Sequence, residues 1–162
     1  MKVLIWLTAG AWEACVDAAR SFVPAAVSEP GGELILLHVL DDGVFAGRPG
    51  PDARLFGSGR SSTNIIPVLD AEAALLDAAA HRLGAPARRE TRRGRLERKV
   101  VAAAADADLL VCARDGDLRH PGPRSLSPAT RFVVDHVLCP VLLVWPSAPP
   151  TGATPLELAA ET

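Results

Sequence analysis

Apolar and polar positions follow two rhythms along this chain. Val3–Leu7 (VLIWL), Leu34–Leu40 (LILLHVL), Leu109–Ala113 (LLVCA) and Val141–Trp145 (VLLVW) are short, nearly unbroken apolar runs. Such runs suit strands buried on both faces, as in a parallel sheet. Between them the period becomes helical. Cys15, Ala18, Ala19 and Phe22 share a face after Gly10, and Pro24 with Glu29–Gly32 ends that segment. Leu69, Ala73, Leu76, Ala80 and Leu83 form a stripe over Ile65–Leu83, stopped by Gly84-Ala85-Pro86. Leu96, Val100, Val101 and Ala104 mark a third helix. A fourth spans Ser127–His136, with Ala129, Phe132, Val133 and Val137 inward. Ala87–Arg93 (ARRETRR) fits a charged edge strand, which also blocks edge-to-edge aggregation.

The order is strand, helix, strand, a long insert, then helix and strand alternating to the end. It predicts an α/β fold, a doubly wound parallel sheet of five strands between helical layers with right-handed crossovers. The insert, Asp41–Asn64, is rich in Gly, Pro, Ser and Arg, and a loop of that length in a compact domain is functional or mobile. One domain over residues 1–146 is expected, followed by a frayed tail at 147–162.

Composition narrows the function classes. Apolar residues make up 49% of the 162 but aromatics only 4%, so Ala, Val and Leu build the core. A net charge of −2 gives no global case for nucleic acid or membrane. No apolar run reaches the ~18 residues of a membrane span. Val3–Leu7 is shorter than a minimal signal core of ~7 residues and reads as a first strand, so a cytoplasmic location is expected. Cys15, Cys112 and Cys139 lie in apolar segments without metal or redox spacing, and are expected to be buried thiols. No metal is expected.

The strongest charge cluster, Arg88–Lys99, has seven basic and two acidic residues. It lacks interleaved aromatics for base stacking and reads as a solvated edge strand and helix start rather than a nucleic-acid site. Asp115 and Asp117 near His120 make a conceivable acid–base pair, although loop carboxylates are usually only solvated. His38, flanked by Leu37 and Val39, reads as a satisfied core histidine.

In parallel α/β sheets a ligand sits where loops leave the carboxyl ends of the strands, often with a phosphate at a helix N-terminus. Ser127 is a preferred N-cap and Pro128 suits the first helical position, so Ser-Pro-Ala-Thr is a good helix start without any ligand. It also offers the Ser127 hydroxyl and the Ala129 and Thr130 amides to an anion, with Arg114, Arg119 and Arg124 nearby.

These residues carry a resemblance. Cys139-Pro140-Val141-Leu142-Leu143-Val144 and Leu36–Asp42 (LLHVLDD) resemble the last and second strands of the universal stress protein family. That family's loop after strand four reads Gly-x-x-Gly-x9-Gly-Ser/Thr. The resemblance covers residues 1–145 by topology. It implies a Rossmann-like three-layer α/β/α fold with strand order 3-2-1-4-5, a homodimer through the Val141–Trp145 edge, and in some members bound ATP. Laid on the motif, Ala113 takes the first Gly, Gly116 the second, Ser127 the third and Pro128 the Ser/Thr, after a spacing one residue too long. Thr8 falls where ATP-binding members carry a carboxylate. The implied pocket is Thr8, Ala9, Gly10, Val39, Ala113, Arg114, Gly116, Ser127, Pro128, Ala129 and Thr130, with ATP or another adenine nucleotide as the implied ligand. The departures point to a regulatory or binding module with a modified nucleotide-like pocket, open also to a protein partner. An ATP-binding homodimer and a weak nucleotide hydrolase are the alternatives.

Overall fold

The computed structural model describes residues 1–41, 66–119 and 122–147. Its strands are β1 (Lys2–Leu7), β2 (Glu33–Leu40), β3 (Arg88–Arg93), β4 (Leu109–Ala113) and β5 (Val141–Val144). Its helices are α1 (Trp12–Ala19), α2 (Val23–Ser28), α3 (Ile66–Leu83), α4 (Leu96–Ala103) and α5 (Pro128–His136). All five strands run parallel in one sheet ordered β3-β2-β1-β4-β5, so the strand order implied by the resemblance holds. Beyond Asp41 the insert lies outside the described residues, as does the tail from residue 148.

The runs of β1, β2 and β4 are buried on both faces because side chains alternate across a strand, while β5, at the sheet edge, is only half-buried. Val3, Ile5, Leu7, Leu36 and Val111 pack with Cys15 and Val16 of α1 and Leu76 and Leu83 of α3. Leu4, Trp6, Leu37, Val39 and Cys112 pack on the other face with Val100 of α4 and Val133 of α5. β3, charged along its length, closes one edge. Among the described residues no helix is long and apolar enough to cross a membrane.

Four helical expectations shift. Gly10 does not open α1; it sits at φ +81° in the turn before it. Pro24 does not stop a helix but starts α2, where its missing N–H costs nothing. On α3 the buried stripe runs through Glu72, Leu76, Ala79 and Leu83, while Ala73 is exposed. This helix is so rich in Ala that several settings of the stripe read equally apolar. On α5, Phe132 is 37% exposed and stacks on His136, with ring centroids 3.8 Å apart. Val133 is inward as expected, and Thr130 is buried beside it.

Candidate functional site

Strand order reverses between β1 and β4, so the loops leaving these strands diverge at their carboxyl ends. On the β1 side, the Ala11 N–H donates to the Thr8 carbonyl at 3.1 Å and closes a tight turn. Gly10 supplies the left-handed residue that the turn needs, and Ala9 and Gly10 are exposed. Val39 is 4% exposed within β2, on the face under α4 and α5. His38 donates from Nδ1 to the Leu7 carbonyl at 3.1 Å, which ties β2 to the β1 exit as a satisfied histidine.

On the β4 side the chain turns at Arg114. Its N–H donates to the Val144 carbonyl at 2.9 Å, and its guanidinium bonds the Ser125 hydroxyl. That guanidinium also lies 4.8 Å from the Trp145 ring centroid, a cation–π contact. The loop then folds onto the segment preceding α5. The Gly116 N–H donates to the Ser125 carbonyl at 3.0 Å and the Asp117 N–H to the Arg124 carbonyl at 2.7 Å. A Cβ on Gly116 would lie 2.3 Å from the Arg124 carbonyl oxygen, so glycine serves this backbone approach.

The N-terminus of α5 is filled from within the chain. The Ser127 hydroxyl accepts from the Thr130 N–H at 3.2 Å, and Pro128 stands in the first turn. Asp115 supplies the anion. Its Oδ1 accepts from the Ser127 N–H at 2.9 Å, and its Oδ2 accepts from the hydroxyls of Ser127 at 2.7 Å and Thr130 at 2.8 Å. Thr130 is 1% exposed, so its hydroxyl needs a partner, and Asp115 provides it.

Apart from Val39, buried in β2, the expected pocket residues fall into two groups at one end of the sheet. Thr8, Ala9 and Gly10 form the β1 exit. Ala113, Arg114 and Gly116 form the β4 exit, joined to Ser127, Pro128, Ala129 and Thr130 at the start of α5. Asp115 is the residue that sequence reasoning did not place here. The available signal was an acidic side chain in the loop feeding a capped helix, whose positive end favours carboxylates.

Other candidates are engaged elsewhere. Asp117 pairs with Arg119 at 2.9 Å, and the acid–base pairing of these loop carboxylates with His120 lies outside the described residues. The basic cluster is threaded with ion pairs: Arg88 to Glu33, Arg89 to Asp77, Arg92 to Glu90 and Arg95 to Glu97. Cys15 and Cys112 are fully buried, and burial pushes both thiols up to about 12. The charge of Asp115 adds to the effect on Cys112. No group of three metal-ligating side chains occurs among the described residues.

The universal stress protein family model matches residues 11–144. No curated protein matches the chain. Among solved structures it is similar to hypothetical protein MJ0577, with 18% identity over 89% of this chain and 94% of that one and a TM-score of 0.63. A universal stress protein solved in complex with cAMP is 21% identical over 91% of this chain and 98% of its own, with a TM-score of 0.53. A universal stress protein family protein from Arabidopsis thaliana with AMP bound is 16% identical over 96% and 98%, with a TM-score of 0.55. At these identities the structures support the fold, while the family model spans most of the sequence. The chain belongs to the universal stress protein family.

Proposed function

We propose that the chain is a regulatory binding module of the stress response, with a modified nucleotide-like pocket between the β1 and β4 exits. The observation that carries this reading is the reversal of strand order there, with Thr8–Gly10 on one wall and Ala113–Gly116 and the start of α5 on the other. Two structural neighbours, solved with cAMP and with AMP, support an adenine-type ligand.

The pocket suits only part of a nucleotide. The β1 wall is uncharged and leaves Ala9 and Gly10 open, which suits a neutral adenosine moiety. The α5 wall does not suit a phosphate, because Asp115 already takes the Ser127 amide and both first-turn hydroxyls. No catalytic step is assigned to these residues.

The module acts as a homodimer through β5. The Pro140 and Val144 carbonyls accept from the Leu110 and Arg114 amides, so the even-numbered residues face β4. The N–H and C=O of one residue in a parallel strand point the same way, so Val141 and Leu143 turn theirs toward the open edge, which a second copy would cover. We place the protein in the cytoplasm, where its three free thiols would persist.

The test is calorimetric titration with adenosine, AMP, cAMP and ATP, together with amide NMR. Binding with shifts at Thr8–Gly10 and Val39 is the expected result. Shifts confined to other elements, or no binding of any of the four, would remove the reading.

A further inference from the structure

A carboxylate held by two hydroxyls and a backbone amide at a helix N-terminus occupies the kind of seat that α/β proteins offer to phosphate. Three features make the Asp115 contact a built arrangement. Its donors are fully committed: the Ser127 and Thr130 hydroxyls each have a single proton, and Asp115 receives both. Its backbone is pinned, since the next two residues bond to Ser125 and Arg124, and Gly116 permits that approach. Its charge is matched by the helix rather than by a cation. Arg114 turns to Ser125 and Trp145, and among the described residues no ion pair reaches Asp115.

A phosphate entering this seat would meet a carboxylate already in place and no free hydroxyl proton. It would have to displace Asp115 and break the loop, or remain beside a like charge. An uncharged ligand meets neither obstacle.

We propose that Asp115 is the specificity-determining residue of this pocket: an internal anion that closes the phosphate seat of α5 and makes the pocket select an uncharged nucleoside over its phosphates. The proposal rests on the reading of the crevice as an adenine-type pocket, and the test keeps the two apart.

Affinities for adenosine and AMP are measured on the wild-type protein, Asp115→Asn and Asp115→Ala. The wild type is expected to bind adenosine at least about tenfold tighter than AMP, because like charges at contact distance disfavour the pair by that order. Asp115→Asn, which keeps an acceptor for the Ser127 amide, should bring the two affinities together. Asp115→Ala should reverse their order. A wild type that prefers AMP, or a ratio unchanged in both variants, overturns the proposal.

The second arm uses inorganic phosphate alone and follows the Ala129 and Thr130 amides by NMR. Saturable shifts are expected in Asp115→Ala and not in the wild type. Their absence from a variant with native amide dispersion overturns the closed seat, whatever the nucleosides do. If phosphate titrates the Ala variant while adenosine and AMP bind no form, the adenine reading fails and nucleoside selection falls with it. The seat assignment then stands on the phosphate result.

Discussion

Gly116 and Ser125 are joined by a 3.0 Å hydrogen bond, and a Cβ on Gly116 would come within 2.8 Å of the Ser125 carbonyl carbon. The constraint is steric rather than conformational, because Gly116 is not among the glycines with positive φ. Gly116→Val should therefore open the loop, at a cost of about 1–3 kcal/mol by analogy with overpacked sites. Urea unfolding measures it, and wild-type stability in this variant would contradict the approach described.

Ser127 serves its helix twice, as N-cap for Thr130 and as donor to Asp115. Ser127→Ala loses both and should lower stability by about 1 kcal/mol or somewhat more. Thr130→Val keeps the buried shape and the Ser127 cap and loses the hydroxyl contacts to Asp115 and Ser127, so its thermal midpoint should fall between the two. Equal midpoints for all three proteins would show that the network contributes nothing.

The thiols should separate by reactivity. Thiolate is the attacking species, and burial, with the neighbouring Cys112 adding to it, raises Cys15 to about 12. Burial, then Asp115 and Cys139, does the same for Cys112. Cys139, half-buried, should be alkylated first at pH 8, with the other two labelled only on unfolding; mass spectrometry reads the order. The same shifts carry a sign for stability. The unfolded chain ionises these thiols above the ordinary 9.0 while the folded one holds its protons, so stability should fall as pH rises from there toward 12.

Arg82 grips Asp17 through both carboxylate oxygens, at 2.8 and 2.6 Å, and clips α3 to α1. The hydrogen bonds from Arg82 hold the Asp17 carboxyl below its ordinary value of 3.8. A lowered acid contributes stability above its unfolded value and loses it as pH falls through the folded one. NMR titration should find Asp17 ionising below 3.8, and Arg82→Gln should return it toward normal. An unchanged titration in that variant would dismiss the pair.

Leu143→Pro tests the β5 edge. It removes an amide that points outward and leaves the carbonyls of Pro140 and Val144 bonded to β4. Sedimentation should show a wild-type dimer and a monomeric variant. A wild-type monomer at high concentration would rule out pairing through this edge.

How far the sequence could be read follows from the type of signal. Val3–Leu7 and Leu109–Ala113 announce buried strands because an unbroken apolar run has few other uses in a chain this size. Gly84 and Pro86 mark the end of α3 equally plainly. The α3 stripe was ambiguous because alanine tolerates either side of a helix, which leaves a glutamate, Glu72, buried where Ala73 was expected. Phe132 reads as inward because bulk suggests burial, while the cap network turns the smaller Thr130 inward. Asp115 was hidden for a different reason. A single loop acid has no period, and its role depends on a helix cap twelve residues later.

Trp145 brings one more consequence. Arg114 hydrogen-bonds to β5 through its amide and covers the Trp145 ring with its side chain, so the pocket rim and the outer strand share a mechanical joint. Whatever shifts the β4 loop must lift a cation from an indole on the strand proposed to meet a second copy. The molecule therefore carries its own optical gauge. Once the emission of Trp6 and Trp12 is accounted for, a change in the Trp145 contribution would report occupancy of the crevice and the state of the subunit boundary together.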